Sequence, residues 1–492
     1  MTACDGKPRR PLHRFAPAGL AALLLAGCAS YTDRMHQARA EYAAGNYPAA
    51  IGAIDPEDCE GGRDQLLFLL ERGTIKQAQG DFAGSNEDFE HAYSVISDFE
   101  ERAKISLRDV GSETQALLVN DTALPYKGEG FEKMLLHAMK AINYLMLSDL
   151  EGARVEIKRL DERRNIEKEA HEREIARAQE QAQEKNLSAD QVAAAEQNLY
   201  QAYGPALQIA QRVKSLYLSP FGSLVSALVY DLQGEYDEAL VDTRRVLEEA
   251  PQYAAAALDA YSLGADDRPS PPVPLDLRKT GDLVVFFHAG LAPEKRQVSI
   301  ALPVGDAWIA VAFPVYAAIP TAVDHADVFI DGAAAGSTRL VSDVEAQAVK
   351  SLVEAAPALV VRQMIRAVIK GVAAHAAEQE NGWAGFLVNM YNILSEQADL
   401  RSWLTLPRHL EAFRYYPPAG KHTVRIAVVD AGGRALGEVS QEADFANDRT
   451  VLANVRGIGF TPVFPGGLNI TAQWRTLPRA PLSGRPRFVL HP

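Results

Sequence analysis

The residue in this chain whose setting most clearly specifies chemistry is a thiol. Cys28 closes the tetrad Leu25-Ala26-Gly27-Cys28, in which small residues precede a nucleophile at the end of an apolar run. A thiol so placed is a nucleophile open to alkylation. Of the other two cysteines, Cys4 lies before the apolar run, in a stretch that a signal cleavage would remove, and Cys59 would then stand alone. That excludes an internal disulfide, and Cys59 reads as a quiet small residue rather than a nucleophile.

The other reactive residue types lack the spacing that chemistry needs. The histidines, among them His36, His91, His137, His288, His325, His375, His409 and His422, are scattered singly, with no HExxH and no zinc-like pair. There is no G-x-S-x-G elbow. Gly420-Lys421-His422-Thr423 mimics the end of a phosphate loop, but Tyr415 stands where the earlier glycine belongs and His422 where Ser or Thr is required. Carboxylates around Asp324 and Asp327 are the ordinary surface of a chain with net charge −14, a balance that also argues against nucleic acid. The expectation is a non-enzyme: no catalytic residue, no metal, no cofactor and no small-molecule substrate.

The segment that positions Cys28 carries Lys7, Arg9, Arg10 and Arg14, then an apolar core from Ala18 to Ala26 that is too short to span a bilayer. It resembles a bacterial lipoprotein signal with its lipobox; the alternative is an ordinary secretory signal cut at an Ala-x-Ala-like site. The resemblance implies that residues 1–27 are a leader and that Cys28 carries the lipid. With Ala29 rather than Asp next, it also implies the outer membrane, with the body facing the periplasm.

The fold class expected is α+β, mainly α. Residues 28–263 read as helical hairpins that resemble tetratricopeptide repeats, with a generic helical domain as the alternative. Four stretches share one signature: Gly45-Asn46-Tyr47 before Ala50, Gly80-Asp81-Phe82 before Ser85, Ser148-Asp149-Leu150 before Ala153, and Gly234-Glu235-Tyr236 before Ala239. A small residue permits the reversal, the aromatic two places on plugs the gap between helices, and alanine three further lets them approach. Tyr230 fits the packing position of the last copy. Tyr47, Phe82, Tyr230 and Tyr236 are therefore candidate partner contacts. A charged helical insertion, about 158–217, reads either as a solvated face or as a partner-binding arm, with a cap at Ser188 and a kink at Pro205.

Residues 264–274 (GADDRPSPPVP) form a Pro-rich linker. Beyond it, 275–492 reads as a small antiparallel β-domain of sandwich type, interrupted by helices at about 343–397. One of these, 357–378, has an apolar face and a basic rim of Arg362, Arg366 and Lys370, open to core packing or to membrane or partner contact. Ala326–Gly332 and Pro417–Ile426 resemble two strands of a short surface-layer module. Asp399, Arg401 and Trp403 precede a Leu-Pro step and could pin the inserted helices or form a recognition groove.

Taken together, the lipobox, the degenerate repeats, the segment NDTALPYKGEG and the segment QADLRSWLTLPRHLEAFRYYPPAGKHTV resemble a family of bacterial tetratricopeptide-repeat lipoproteins. Members are often encoded near lipoproteins like the activators of penicillin-binding proteins. The resemblance implies a membrane-tethered scaffold with a protein partner in the envelope and carries over no catalytic residue. The alternative is a glycan or peptidoglycan binder using Trp403, Tyr415 and Tyr416. Cys28→Ser should release the body into the soluble periplasmic fraction; continued sedimentation with outer membrane would show that something other than lipid holds it.

Overall fold

The computed structural model describes residues 31–106, 121–267, 275–304, 307–380, 397–459, 468–487 and 489–490. Residues 1–30 with Cys28 and the expected leader, residues 268–274 of the Pro-rich stretch and residues 381–396 of the inserted helical segment lie outside them. The first half is helical: α1 (Tyr31–Ala43), α2 (Tyr47–Gly52), α3 (Pro56–Glu60), α4 (Gln65–Gln79), α5 (Phe82–Ser106), α6 (Gly130–Met146), α7 (Leu150–Glu184), α8 (Ala189–Ala202), α9 (Gly204–Ala210), α10 (Pro220–Gln233), α11 (Tyr236–Glu249) and α12 (Ala255–Ser262). Gly45, Gly80 and Gly234 turn the chain at φ +79°, +92° and +82°, and Ser148 takes the same left-handed conformation at +62°. Glycine adopts it freely, whereas serine gives up about 1–2 kcal/mol. Ala50, Ser85, Ala153 and Ala239, three residues into each second helix, are all 0% exposed, so the helix axes close on small side chains there.

The second half contributes β1 (Leu275–Asp276), β2 (Asp282–Ala289), β3 (Glu294–Val304), β4 (Ala307–Ala317), β5 (His325–Ile330), β6 (Ala333–Ser337), β7 (Arg339–Asp343), the long α13 (Val344–Glu380), β8 (His409–Tyr415), β9 (Gly420–Val429), β10 (Ala435–Phe445), β11 (Arg449–Ile458), β12 (Asn469–Pro478) and β13 (Val489–Leu490). A five-stranded sheet runs β12-β11-β2-β8-β7 and a four-stranded sheet β10-β9-β5-β6, with β3–β4 and β1–β13 as separate pairs. β2 and β11 are parallel, an exception to the antiparallel expectation that follows from their wide separation in sequence. The two module-like fragments pair as β5 and β9, with Val328 opposite Ile426.

Side-chain alternation makes the five-stranded sheet a middle layer. Leu283, Val285 and Phe287 of β2, with Val451, Ala453 and Val455 of β11, share a cluster with Val328 of β5 and Ile426 of β9. The opposite face, including Val284, Phe286 and Leu452, joins the cluster built by the helices, with Tyr42, Phe89 and Phe221. β2, buried at every residue, is the strand covered on both sides. The Pro-rich stretch, expected to separate two domains, therefore lies between two lengths of chain that build one hydrophobic core.

The charged insertion differs from a freely projecting arm. α7 is about 52 Å long at about 1.5 Å per residue, but its distal Ala178 and Ala182 pack on Ala358, Val361 and Ile365 of α13. Arg362 of the basic rim reaches Glu174 at 2.9 Å. Val360, Met364 and Ile365 are fully buried, so this stretch of the amphipathic helix covers core; the side chains of Ile369, Lys370 and Val372 lie outside the described residues. Ser188 does cap α8 through the Gln191 N–H, whereas Pro205 opens α9 rather than kinking a continuous helix. Ile365→Ala, costing about 2–5 kcal/mol locally, should speed hydrogen exchange across residues 172–184 while leaving the melting of the body in place; a matching drop in global stability would make the arm part of the main cooperative unit.

Candidate functional site

The cluster singled out around Trp403 lies on an irregular strap, residues 397–408, threaded between the helices and the sheets. A strap has no ladder partners, so its backbone donors must find acceptors elsewhere. Two buried carboxylates supply them. Glu132 of α6 accepts the Trp403 N–H at 2.8 Å, and Glu71 of α4 accepts those of Leu404 and Thr405 at 2.7 and 2.9 Å. The hydroxyls of Tyr126 and Tyr31 donate to the same two groups at 2.6 and 2.7 Å. The Trp403 indole, 1% exposed, donates to Thr74 Oγ1 at 2.9 Å and lies edge-on to Phe89. Burial, with the Glu129 charge adding to it, pushes the Glu132 carboxyl up to about 7. Burial raises Glu71 as well.

Arg401 continues the same fastening. Its guanidinium donates to both Asp399 oxygens at 2.9 and 2.7 Å, to Asp64 at 3.0 Å and to the Leu124 carbonyl at 2.9 Å. Burial opposes ionisation of Asp399, but the Arg401 bonds and charge outweigh it and hold the carboxyl below its usual range. Asp399, Arg401 and Trp403 thus pin the strap to the helices, with Arg401 and Trp403 both buried.

The turns between the helices are occupied by the chain itself. Along β12 the residues alternate: Ile470, Ala472 and Trp474 pack toward the four-stranded sheet, while Asn469, Thr471, Gln473 and Arg475 face the helix turns. Helices end in carbonyls without intrahelical partners, and these side chains are donors. Asn469 donates to the Tyr42 carbonyl at 2.9 Å, Gln473 to that of Ala78 at 2.9 Å and Arg475 to Ser148 Oγ at 2.6 Å. Past the strand, the Ala480 N–H reaches the Leu232 carbonyl at 2.8 Å and the Arg487 N–H that of Ser262 at 3.1 Å. One segment caps the turns in chain order. A Cβ on Gly234 would stand 2.9 Å from Ala480 Cβ, so glycine is needed there for space as well as for φ.

Beneath this segment lies a knot of buried charge. Arg414 of β8 bonds Asp282 of β2 at 2.9 and 2.8 Å and Asp231 of α10 at 2.8 Å, with Asp259 of α12 at 3.2 Å. Arg479 and Arg485 add bonds to Asp231 at 3.1 and 2.6 Å. Burial works against the Asp231 and Asp282 charges, but the arginines more than offset it and hold both carboxyls low.

Tyr47, Phe82, Tyr230 and Tyr236, the candidate partner contacts, are each under 10% exposed. Tyr47 donates to Asn469 at 3.1 Å and Tyr236 to the Pro481 carbonyl at 3.2 Å, so the chain's own C-terminal segment covers these two. Trp403 and Tyr416 of the glycan reading are buried too, Tyr416 donating to Asp259 at 2.7 Å. Burial pushes the Cys59 thiol up to about 11, which keeps it protonated and inert.

The fold also gathers residues that sequence spacing did not join. Asp343, Glu345 and His409 bring ligand-type atoms within 4.8 Å of one another. Arg212 and Arg408 already neutralise the carboxylates, Arg408 at 2.8 Å from Glu345, so the group reads as an ion-pair cluster. No local signal could have found it, because His409 opens β8, Asp343 ends β7 and Glu345 lies in the first turn of α13. Two small cavities, one beside Arg456 and one beside Arg414, each offer about 10 Å³, room for a single water.

A raised carboxyl stabilises the fold below its ordinary value of 4.5, and that contribution is lost as pH climbs through about 7. Glu132→Gln keeps an acceptor for the Trp403 N–H and removes the titration. Between pH 4.5 and 7 the wild type should lose up to ~3 kcal/mol of unfolding free energy relative to this variant; parallel pH profiles in urea titrations would contradict the assignment. No protein-family model, curated protein or solved structure matches the chain.

Proposed function

We propose that the chain is a lipid-anchored, periplasm-facing protein of the outer membrane that holds a protein partner in the envelope and performs no catalysis. Its helix pairs are read as tetratricopeptide-like and its two stacked sheets as a sandwich. The turn pattern with its fully buried small residues and the cluster shared between the sheets support those readings. The lipobox supports the anchor.

The observation that carries the reading concerns where a partner could dock. The chain's own strap lies on α4 and α6, and its C-terminal segment covers the turns between the helices. Among the described residues, Glu169, Glu172, Arg173 and Glu180 are exposed along α7, whose other side is anchored on α13. An arm of mixed charge suits a polar, reversible contact, with on-rate and specificity set by charge complementarity.

Photo-crosslinkers at Glu172 and Glu180, in intact envelopes, should give one defined protein adduct, and one at exposed Asp237 of α11 should not. Reversing Glu169, Glu172 and Glu180 to lysine should abolish the adduct while the melting curve stays unchanged. An adduct indifferent to charge reversal, or equally strong from Asp237, would contradict the arm as the docking element.

A further inference from the structure

We propose that the pole of the helical array around the first turn of α1 rests against lipid headgroups, so that the helix pairs stack away from the membrane in chain order. The inference rests on the lipid at Cys28 and adds which surface the lipid brings to the bilayer. Tyr31, only three residues later, is already part of the core: it is 6% exposed, its hydroxyl donates to Glu71 at 2.7 Å and its ring lies 5.5 Å from Phe68. Three residues reach at most about 10–11 Å when fully extended. The body therefore has no tether long enough to stand off from the surface.

The pole has the chemistry of a contact made without insertion. Arg34 of α1 pairs with Asp58 of α3 at 3.3 Å and with Asp64. The exposed loop bearing Ala123 and Pro125 is fixed beside it by the Tyr126 N–H, which donates to the Arg63 carbonyl at 2.8 Å. Arg34 and Arg63 are exposed among Asp33, Asp55, Glu57 and Glu60, so the short tether rather than charge attraction holds this pole to the headgroups; none of the exposed large apolar residues lies here among those described, which fits a headgroup plane rather than the hydrocarbon. Successive helix pairs pack on one another from α1–α2 through α4–α5 and α6–α7 to α10–α11. At about 8–10 Å per packed layer, α11 stands roughly 25–30 Å farther out.

The test uses the full lipidated chain in vesicles of phosphatidylethanolamine and phosphatidylglycerol carrying a nitroxide headgroup lipid. A fluorophore is placed at Ala123→Cys or Val241→Cys; Val241 is 50% exposed on α11, and Cys59, 2% exposed, does not compete for label. Quenching should be several-fold stronger at 123 than at 241. Equal quenching, or stronger quenching at 241, overturns the pole assignment and leaves the anchor standing. Sedimentation of the Cys28→Ser chain with the vesicles overturns the anchor itself, and with it the argument from tether length.

Discussion

Arg414 meets three carboxylates at once, and the position of nearly every layer is written into that contact. Asp231 belongs to α10, Asp259 to α12, Asp282 to β2 and Arg414 to β8, while Arg479 and Arg485 arrive on the C-terminal segment. Taking such charges out of water costs several kcal/mol each, and the attraction among them offsets this only when the geometry is complete. Three arginines against three aspartates leave no surplus charge. Removing one partner would strand another in the core at about 3–5 kcal/mol, so none of these elements can shift alone.

The strap and the C-terminal segment obey a related constraint. Both are stretches whose backbone or neighbours would carry unpaired polar groups in a water-poor interior, where each such group costs about 1–3 kcal/mol. Glu71 and Glu132 satisfy the N–H groups of the strap, and Asn469, Gln473 and Arg475 reach the open ends of the helix turns. Hydrophobic burial brings helices and sheets together through Phe286 and Leu452. The polar contacts fix their register, since each donor has one carbonyl or carboxylate within reach.

The local parts of this design were legible in the sequence. Turns such as Gly80-Asp81-Phe82 announce themselves because the reversal, the plug and the small contact residue lie within a few positions, and Ser85 is fully buried as that spacing requires. Strands β2, β5 and β9 were visible from their composition. β12 was missed although Asn-Ile-Thr-Ala-Gln-Trp-Arg alternates with period two; its polar face meets helix ends instead of solvent. The parallel β2–β11 pairing and the Glu132–Trp403 bond, 271 residues apart, leave no local trace. For the same reason Tyr47 and Tyr236 passed for binding residues: the sequence displays an aromatic at a turn, but not the segment that arrives from the far end of the chain to cover it.

Function in this account follows from closure. Among the described residues the space between helices and sheets is filled by the chain itself, and the charged side chains of α7 face outward. The central claim is that helices and sheets form one cooperative unit locked by the buried charges. Differential scanning calorimetry of the Cys28→Ser chain tests it most directly. The account predicts a single main transition whose calorimetric and van't Hoff enthalpies agree. Two separable transitions, one helical and one of the β-structure, would contradict it.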